Sequence, residues 1–454
     1  MIKKTLLLSI LIFVAASIVE AQIEVSNLAG NDSKGSLIAA IQTANARSAT
    51  PEKPVIISFA SKLAGEIVLA MDLPAIENHI TFAGHLANGK PAITINGSVN
   101  PAINQGLAGG VSPGFGLFNV KSGKTVSFEN LHLTKSNKGA ILNEGGHVTV
   151  KNCMLTNNMG IGRIFGTAGA IHSEDGNLTV IGSFFSKNFG GVGSTDGSLG
   201  YGGSGCIDVV NGNAVVINCS FLENDGGFGG VGVGSVGGAG AMMVRDGNVS
   251  VVNCTVAGNY GGGCFVAGAA GGFLLFGGNM SVLQTTIVNN VGGVGVGGFG
   301  GIDFCSGGIH VLAGMLSVGG NIIAGNENGT DVKTDFEAQV SGEVRSSGSN
   351  LGGQIFVELN GPGDVTGLEM SNIVATSEGK YKAEVVSGFL PTIALTSDSP
   401  AKNKSAAITN ISPVSSNDAN AKFFTDAATK YAALLQADQN GKKRSEKPSI
   451  GSVE

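Results

Sequence analysis

Short segments in which apolar and polar residues alternate recur along the middle of the chain. Val148-Thr149-Val150 and Leu178-Thr179-Val180 are typical, and glycine and asparagine bound them. Period-two alternation in runs this short predicts half-buried strands joined by tight turns. The segments start at Val126, Val148, Leu178, Ala214, Val249, Met280 and Leu316. Strand starts that recur in this way, a few tens of residues apart, predict stacked solenoid coils rather than separate globular domains.

Three further sets of residues keep a fixed place relative to these starts. We expect three strands per coil, and therefore a single-stranded right-handed parallel β-helix, whose hand follows the general preference of parallel crossovers. Glycine stands two residues before a start, where we expect a turn with positive φ: Gly146, Gly176, Gly212, Gly247, Gly278 and Gly314. An apolar residue stands seven after: Leu133, Leu155, Phe185, Phe221, Val256, Ile287 and Ile323. The third set is Gly139-Ala140-Ile141, Gly169-Ala170-Ile171, Gly205-Cys206-Ile207, Gly240-Ala241-Met242 and Gly272-Phe273-Leu274.

Asparagine recurs three residues after the apolar position. The set is Asn158, Asn188, Asn224, Asn259, Asn290 and Asn326. An asparagine in register on successive coils can bond the turn backbone and the amide of the next coil, so burial leaves no polar atom unpartnered. We therefore interpret these residues as a structural ladder.

The cysteines fall into the same registers. Five residues after the starts stand Cys153, Ser183, Cys219, Cys254, Thr285 and Asn321, and Cys206 occupies the alanine column. Small thiols that fill a narrow interior are the expected role. A Cys219–Cys254 disulfide is disfavoured because parallel stacking aims both side chains the same way. Cys264 and Cys305 lie in neighbouring loops and could form a disulfide with each other. The disulfide state of Cys206, Cys264 and Cys305 stays open.

Coil length varies at one corner. Glycine-rich inserts at 190–204, 225–239 and 291–307 follow the asparagine, so we expect one ridge along one side of the helix. Insertions on one face of a solenoid often form its binding face. The alternative is that the glycine loops merely pack on one another. The candidate binding residues are Phe228, Val231, Val233, Phe265, Val294 and Phe299.

Composition narrows the possible partners and compartments. Glycine is abundant at 74 residues, tryptophan is absent and the net charge is −6, without a basic stripe, which disfavours a nucleic-acid partner. Lys3 and Lys4 followed by an apolar run predict a signal peptide at 1–21 that is cleaved after Ala21. No other stretch is long and apolar enough to span a bilayer. We expect an exported protein.

Catalytic chemistry is sparse in the sequence. Asp175, Asp208 and Asp246 are assigned to corners of different coils, and turn chemistry accounts for Asp175 and Asp246. His172 and His310 have no partner at metal spacing. The glycine-rich insert 226–240 has no aspartate of the kind that a calcium β-roll needs. We therefore predict no catalytic residue, no metal and no cofactor.

Particular motifs resemble a known family. Phe185-Ser186-Lys187-Asn188 and Gly169-Ala170-Ile171 resemble the repeats of polymorphic outer membrane proteins. The ends resemble the bacterial choice-of-anchor Q proteins in the segments Gly35–Asn45, Leu73–Gly84, Ser346–Leu351, Ser399–Ala401 and Asp438–Gly451. The chain departs from that pattern at Ile38, where the motif has arginine. The resemblance implies a secreted or cell-surface bacterial protein of adhesin type.

These observations predict one division of the chain into segments and leave three candidate functions. We expect a signal peptide at 1–21, an N-terminal cap with the first coils at 22–125, regular coils at 126–326, and last coils with a less regular cap at 327–454. Ser36 to Asn45 and Asp426 to Gln436 are predicted helices. The favoured function is non-enzymatic binding of a glycan or other cell-surface ligand. The alternatives are a polysaccharide-degrading lyase or glycosidase, which rests on fold analogy alone, and a self-assembling extracellular fibre subunit.

Overall fold

Three long parallel sheets form the body of the protein in a computed structural model. It describes residues 22–98, 114–162, 164–194, 199–232, 234–263, 269–295, 306–328, 336–338 (backbone only), 342–355, 357–386, 388–408, 410–415 and 417–453. The predicted signal peptide at 1–21 lies outside these ranges. So do Val233, Cys264, Phe265, Phe299 and Cys305.

Each sheet takes one strand from each successive coil. Sheet 1 consists of Gln22–Val25, Val55–Phe59, Ile80–Ala83, Thr125–Glu129, His147–Lys151, Asn177–Ile181, Asn213–Ile217, Gly247–Val252, Gly278–Leu283, Gly314–Gly319 and Gly342–Gly348. Sheet 2 consists of Gly65–Val68, Ile93–Asn96, Leu131–Thr134, Met154–Thr156, Phe184–Ser186, Ser220–Leu222, Thr255–Ala257, Thr286–Val288, Ile322–Ala324 and Leu351–Gly352. Sheet 3 consists of Phe118–Val120, Ile141–Glu144, Ile171–Glu174, Ile207–Val210, Met242–Arg245, Phe273–Leu275, Ile309–Val311 and Phe336–Ala338.

The strand register confirms the predicted parallel β-helix. In sheet 1 the predicted starts pair in sequence, from Val126 with Val148 to Met280 with Leu316. In sheet 2 the apolar positions pair from Leu133 with Leu155 onward to Ile287 with Ile323. These side chains point inward and form one continuous core that runs the length of the helix. Each coil thus covers the apolar surface of the next.

Two details of the predicted register are wrong. Met242 pairs with Phe273, not with Leu274, so Phe273 faces the core and Leu274 faces outward. A shift of one residue exchanges the two faces of a strand.

The corner glycines also differ from the prediction, because in four coils the preceding residue has the positive φ: Gly145, Asp175, Asn211 and Asp246.

Close packing explains the glycine that follows in those coils. A Cβ on Gly212 would lie 2.4 Å from the carbonyl oxygen of Gly176 one coil away. Only Gly278 and Gly314 among the six corner glycines have the positive φ that we expected of all of them, at 88° and 89°. Glycine is needed at this corner chiefly because a side chain would collide with the backbone of the neighbouring coil.

The interior asparagines stack along one corner. The Asn188 side-chain amide donates to Oδ1 of Asn224 at 2.9 Å and to the carbonyl oxygen of Leu155 at 2.8 Å. The same Asn224 oxygen accepts the Asn188 backbone N–H at 3.1 Å. Equivalent side-chain bonds link all six, from Asn158 to Asn326, and all six are fully buried.

Small side chains form a second interior column. The backbone N–H of Cys153 donates to the Ser183 hydroxyl, and that of Cys219 donates to Sγ of Cys254 at 3.4 Å. Cys153, Cys206, Cys219 and Cys254 are free thiols and completely buried. Burial raises the pKa of the Cys153 thiol to about 12, so the neutral thiol is the form that packs in this column.

Helix α1, Leu37–Asn45, lies over the first coil. The Ser36 hydroxyl caps it by accepting the backbone N–H of Ala39 at 3.1 Å, and Leu37 and Ile41 are buried in the core. At the other end, Ile355, Val357 and Leu359 pack on the core after the last strand of sheet 2. No helix in the described ranges is long and apolar enough to cross a membrane.

The C-terminal segment turns back along the outside of the helix. Helices α2, Ala421–Lys430, and α3, Ala432–Leu435, begin earlier than predicted and cover the outer face of sheet 1, where Phe424 packs near Val215 and Val252. A 3₁₀ turn, Met370–Asn372, and the hairpins Thr376–Ser377/Lys380–Tyr381 and Ala383–Val385/Pro391–Ile393 lie over sheet 2. Another hairpin, Leu86–Ala87/Lys90–Pro91, projects from an early coil. The outer face of sheet 3 lies on the side of the glycine-rich loops instead.

Candidate functional site

The glycine-rich loops pack backbone against backbone between sheet 2 and sheet 3. Each loop has an outgoing arm and a returning arm, and their peptide groups bond to one another and to neighbouring loops. Gly203 N–H donates to the carbonyl oxygen of Gly191, Gly227 to Gly203, and Gly238 to Gly227, each at 2.8 Å. The interpretation that the loops pack on one another therefore describes the arms correctly.

Side chains would not fit between these arms. A Cβ on Gly203 would lie 2.0 Å from the carbonyl oxygen of Thr167, and one on Gly202 would lie 1.9 Å from that of Gly227. Distances this short are impossible for real atoms, so only glycine permits the arms to approach this closely. The loops form a rigid slab whose few side chains are forced outward.

Exposed apolar side chains are concentrated on this slab. In the described parts of residues 114–328, every exposed large apolar side chain lies on a glycine-rich loop: Ile164, Phe165, Leu199, Val231, Tyr260 and Val294. Two of the predicted ridge residues, Val231 and Val294, are thus exposed, at 42% and 44%. Phe228 is half-buried, and Val233, Phe265 and Phe299 lie outside the described residues. Ile164, Phe165 and Leu199 are not among the predicted ridge residues.

A groove of about 620 Å³ runs between the slab and the outer face of sheet 3. The sheet supplies its floor, the loops at 164–167 and 199–201 supply one wall, and the corner after each sheet 3 strand closes the far side. The lining residues are Ile164, Phe165, Thr167, His172, Glu174, Leu199, Tyr201, Val210, Asn211, Arg245, Asp246 and Phe276. Its volume and its mixture of aromatic and polar groups are those of a ligand site.

The floor carries three charged side chains from successive coils. His172 and Asp208 occupy paired positions in sheet 3, and Nδ1 of His172 lies 3.3 Å from Oδ2 of Asp208. Nη2 of Arg245, on the next strand, lies 3.7 Å from the same carboxylate oxygen. The backbone N–H of Ser204 donates to the other oxygen at 3.0 Å, which ties the loop slab to the sheet. Asp208 is completely buried.

The surroundings of His172 favour its charged form. Burial by itself lowers the pKa of His172, but hydrogen bonding to Asp208 and Glu174 outweighs burial, so the pKa stands above its ordinary value. Nε2 of His172 lies 3.9 Å from Oε2 of Glu174, whose side chain is 54% exposed at the edge of the groove. With Nδ1 protonated and donating to Asp208, Nε2 is the ring atom nearer the groove and Glu174.

Aromatic rings form the wall above these charges. Phe165 and Tyr201 stack in parallel with centroids 5.1 Å apart, and Phe276 meets Tyr201 edge-on at 5.2 Å. The Arg245 guanidinium lies 5.6 Å from the centre of the Phe165 ring, within cation–π distance. Gly200 and Gly202 flank Tyr201, so the close packing of the loop fixes where this ring stands. Flat apolar surface and charged groups therefore face the same groove.

The predicted position of Asp208, at a corner between strands, is wrong. Asp208 lies in the middle of a strand on the outer face of sheet 3, not at a corner, and His172 is its partner. The two residues are 36 positions apart, but each directly follows an isoleucine of the third repeated set, Ile171 and Ile207, and that alignment contained the signal. Asp175 and Asp246 do lie at corners, with φ of 53° and 54°.

His310 lies on the same outer column as His172 but in a different environment. Neither of its ring nitrogens has a hydrogen-bond partner among the described residues, and burial lowers its pKa to about 4. Across the described ranges, no group of three or more histidine, cysteine, aspartate and glutamate side chains is arranged to hold a metal ion.

Comparisons with known proteins bear on the fold alone. No family model matches the chain, and no curated protein matches it. Among solved structures, it is similar to the crystal structure of pectate lyase Pel9A, with a TM-score of 0.41 and 14% identity over 95% of this chain and 96% of that one. The β-helical fold follows from the strand pairing described above, independently of this similarity.

Proposed function

We propose that this protein is an exported, non-enzymatic glycan-binding β-helix of adhesin type, which holds its ligand in the groove between the glycine-rich slab and sheet 3. The observation that carries the proposal is the groove itself, in which the Phe165–Tyr201 stack faces a floor of charged side chains. Sugar rings present apolar C–H faces and a rim of hydroxyls. Aromatic faces suit the former, and carboxylate, guanidinium and amide groups suit the latter.

The exposed residues beyond the groove support an extended ligand. Val231 and Val294, two residues of the predicted ridge, are further exposed apolar side chains on the loops of later coils. A polymer that enters the groove near Tyr201 could contact these side chains along the helix. The likeness of the sequence to polymorphic outer membrane proteins and choice-of-anchor Q proteins supports the bacterial surface or the secreted matrix as the setting.

A glycan array tests the proposal with a matched pair of variants. Tyr201→Ala removes part of the groove wall, whereas Tyr260→Ala removes an exposed tyrosine (51% exposed) on a loop outside the groove lining. We expect the wild type and Tyr260→Ala to bind the same glycans and Tyr201→Ala to lose them with an unchanged fold. Equal binding by all three proteins would place the ligand elsewhere, and absence of glycan binding by the wild type would refute the proposal.

A polysaccharide-degrading enzyme is the second candidate, and the His172–Asp208 pair favours it. A histidine oriented by a buried carboxylate, with its second nitrogen near a groove, has the geometry of a general base or acid. Its test is turnover of oligosaccharides that the array identifies. Cleavage that disappears in both His172→Gln and Asp208→Asn would replace the binding function with an enzymatic one. Intact oligosaccharide after long incubation leaves the binding function in place.

A further inference from the structure

Arg245 lies in the groove with unused hydrogen-bonding capacity. The residue is 9% exposed, and its buried Nε has no hydrogen-bond partner among the described residues. Its nearest carboxylate oxygen, Oδ2 of Asp208, is 3.7 Å from Nη2, which is an ion-pair distance but too long for a hydrogen bond. A buried guanidinium nitrogen without an acceptor among the described residues is unusual, and a ligand in the groove could supply one.

The neighbours of Arg245 define what that partner can be. Phe165 covers one face of the guanidinium, so an acceptor must approach in the plane of the fork. Planar two-oxygen groups match this fork with two parallel hydrogen bonds. His172, when protonated, adds a second cationic group at the opposite side of the single buried carboxylate, Asp208. The buried floor then has two cationic groups and one carboxylate, while Glu174 lies at the exposed edge, so a negative charge from a ligand can be accommodated beside Arg245.

We infer that the groove selects an acidic glycan, whose carboxylate or sulfate group binds the Arg245 guanidinium beside His172. This inference rests on the proposed glycan-binding function and names its ligand class. Glu174 and Asp246 also line the groove, and their charges oppose an anion. They therefore define an internal control, because removing one of them should favour an acidic ligand over a neutral one.

The pH should influence this selection through His172. The charged groups that face His172 are Asp208 on the neighbouring strand, Glu174 on its own strand and Arg245 one coil further. The two carboxylates keep the pKa of His172 above its ordinary value despite burial, so its charge persists toward neutral pH and disappears as the pH rises. Binding of an acidic glycan should accordingly weaken on the alkaline side, whereas binding of a neutral glycan should not.

Titration calorimetry with three matched probes tests the inference: short oligomers of galacturonic acid, of sulfated galactose and of neutral galactose, preceded by an array of the same three classes. We expect the wild type to prefer an acidic probe by about tenfold or more, as hydrogen bonds to charged groups imply. Arg245→Met should remove that preference, because it weakens binding of the acidic probes much more than binding of the neutral one. Arg245→Lys, which keeps the charge but loses the fork, should retain part of it. Asp246→Asn, which removes a carboxylate of the groove without removing a partner of His172, should strengthen it. The relative affinities of the two acidic probes identify the anionic group.

Each outcome decides between the two proposals. Binding confined to neutral glycans on the array, or an unchanged preference in Arg245→Met, overturns the acidic-ligand inference while glycan binding stands. Binding of no class overturns both. Thermal unfolding of each variant shows whether its fold is intact, and Arg245→Lys gives the answer if Arg245→Met does not fold.

Discussion

Two rows of polar side chains cross the coils of this protein, one inside the helix and one on the outer face of sheet 3. In the inner row, which runs from Asn158 to Asn326, the first five amides each donate to the asparagine of the next coil at 2.8 to 3.0 Å. In the outer row, His172, Asp208 and Arg245 meet at 3.3 and 3.7 Å, and the buried Nε of Arg245 has no hydrogen-bond partner within the described ranges. The inner row is saturated and maintains the fold. The outer row has capacity left for a ligand.

The largest expected effect is on stability, from breaking the inner row. Asn224→Ala leaves the backbone N–H and one side-chain N–H of Asn188 without their acceptor at a fully buried position. We expect it to cost about 4 kcal/mol, since several buried groups lose partners at once. The thermal unfolding midpoint measures this.

Asn213→Ala is the matched control for that substitution. Asn213 belongs to a partly exposed asparagine row on the outside of sheet 1. Its amide donates to Oδ1 of Asn177 at 2.9 Å and to Oδ1 of Asn420 at 3.1 Å, and its Oδ1 accepts from Asn248 at 3.1 Å, all at partly exposed positions. Water can replace these partners, so the cost should be about 1 kcal/mol or less. Similar losses in the two variants would contradict the difference that we assign to burial.

Breaking the outer row should come next. Asp208→Asn leaves the buried Arg245 without its counter-charge and should cost about 3 kcal/mol. Without that carboxylate, the pKa of His172 should fall, because burial then dominates. Glu174→Gln, at a half-exposed carboxylate, should cost about 1 kcal/mol or less. A larger loss from Glu174→Gln than from Asp208→Asn would show that the outer row depends on its edge rather than on its buried centre.

The slab that forms the groove wall should respond to a single added methyl group. Gly203→Ala places a Cβ 2.0 Å from the Thr167 carbonyl oxygen, and we expect about 2 kcal/mol of destabilisation as the arms separate. At Gly162 the nearest atom to a new Cβ is 3.2 Å away, so Gly162→Ala should cost less. Hydrogen exchange of the loop amides would show the separation. Unchanged exchange in Gly203→Ala would argue against a rigid slab.

The smallest effect expected is the pH dependence of two histidines on one column. The pKa of His172 is raised in the folded protein, so its contribution to stability is full below its unfolded pKa of about 6.5 and is lost as pH rises through the folded value. The pKa of His310 is about 4, so the folded state loses stability as pH falls below about 6.5. Unfolding of His172→Gln and His310→Leu compared with wild type, at mildly acid and mildly alkaline pH, should show opposite trends. Parallel trends would mean that the two environments do not differ.

How much the sequence predicts differs between the two rows. The inner row repeats the same residue at the same place in each coil, so its spacing predicts the fold and the register of the small-residue column. Helix α1 is predicted separately, from the amphipathic segment Ser36 to Asn45. The outer row uses a different residue in each coil, and no repetition indicates that His172, Asp208 and Arg245 meet. Aligning the residues after Ile171 and Ile207 predicts the first pair. The contact between Phe165 and Tyr201 depends on loops of unequal length, and the return of the C-terminal segment follows no repeat, so neither can be predicted from spacing.

The central claim is that the outer row is a ligand site and the inner row is scaffold. NMR of histidine-labelled protein tests it directly, because His172 lies in the groove whereas His310 and the exposed His147 lie outside its lining. On titration with an oligosaccharide that the array identifies, we predict saturable shifts of the His172 ring signals and a changed His172 pKa, with His310 and His147 unaffected. Saturable binding that leaves the His172 signals and pKa unchanged would contradict the account.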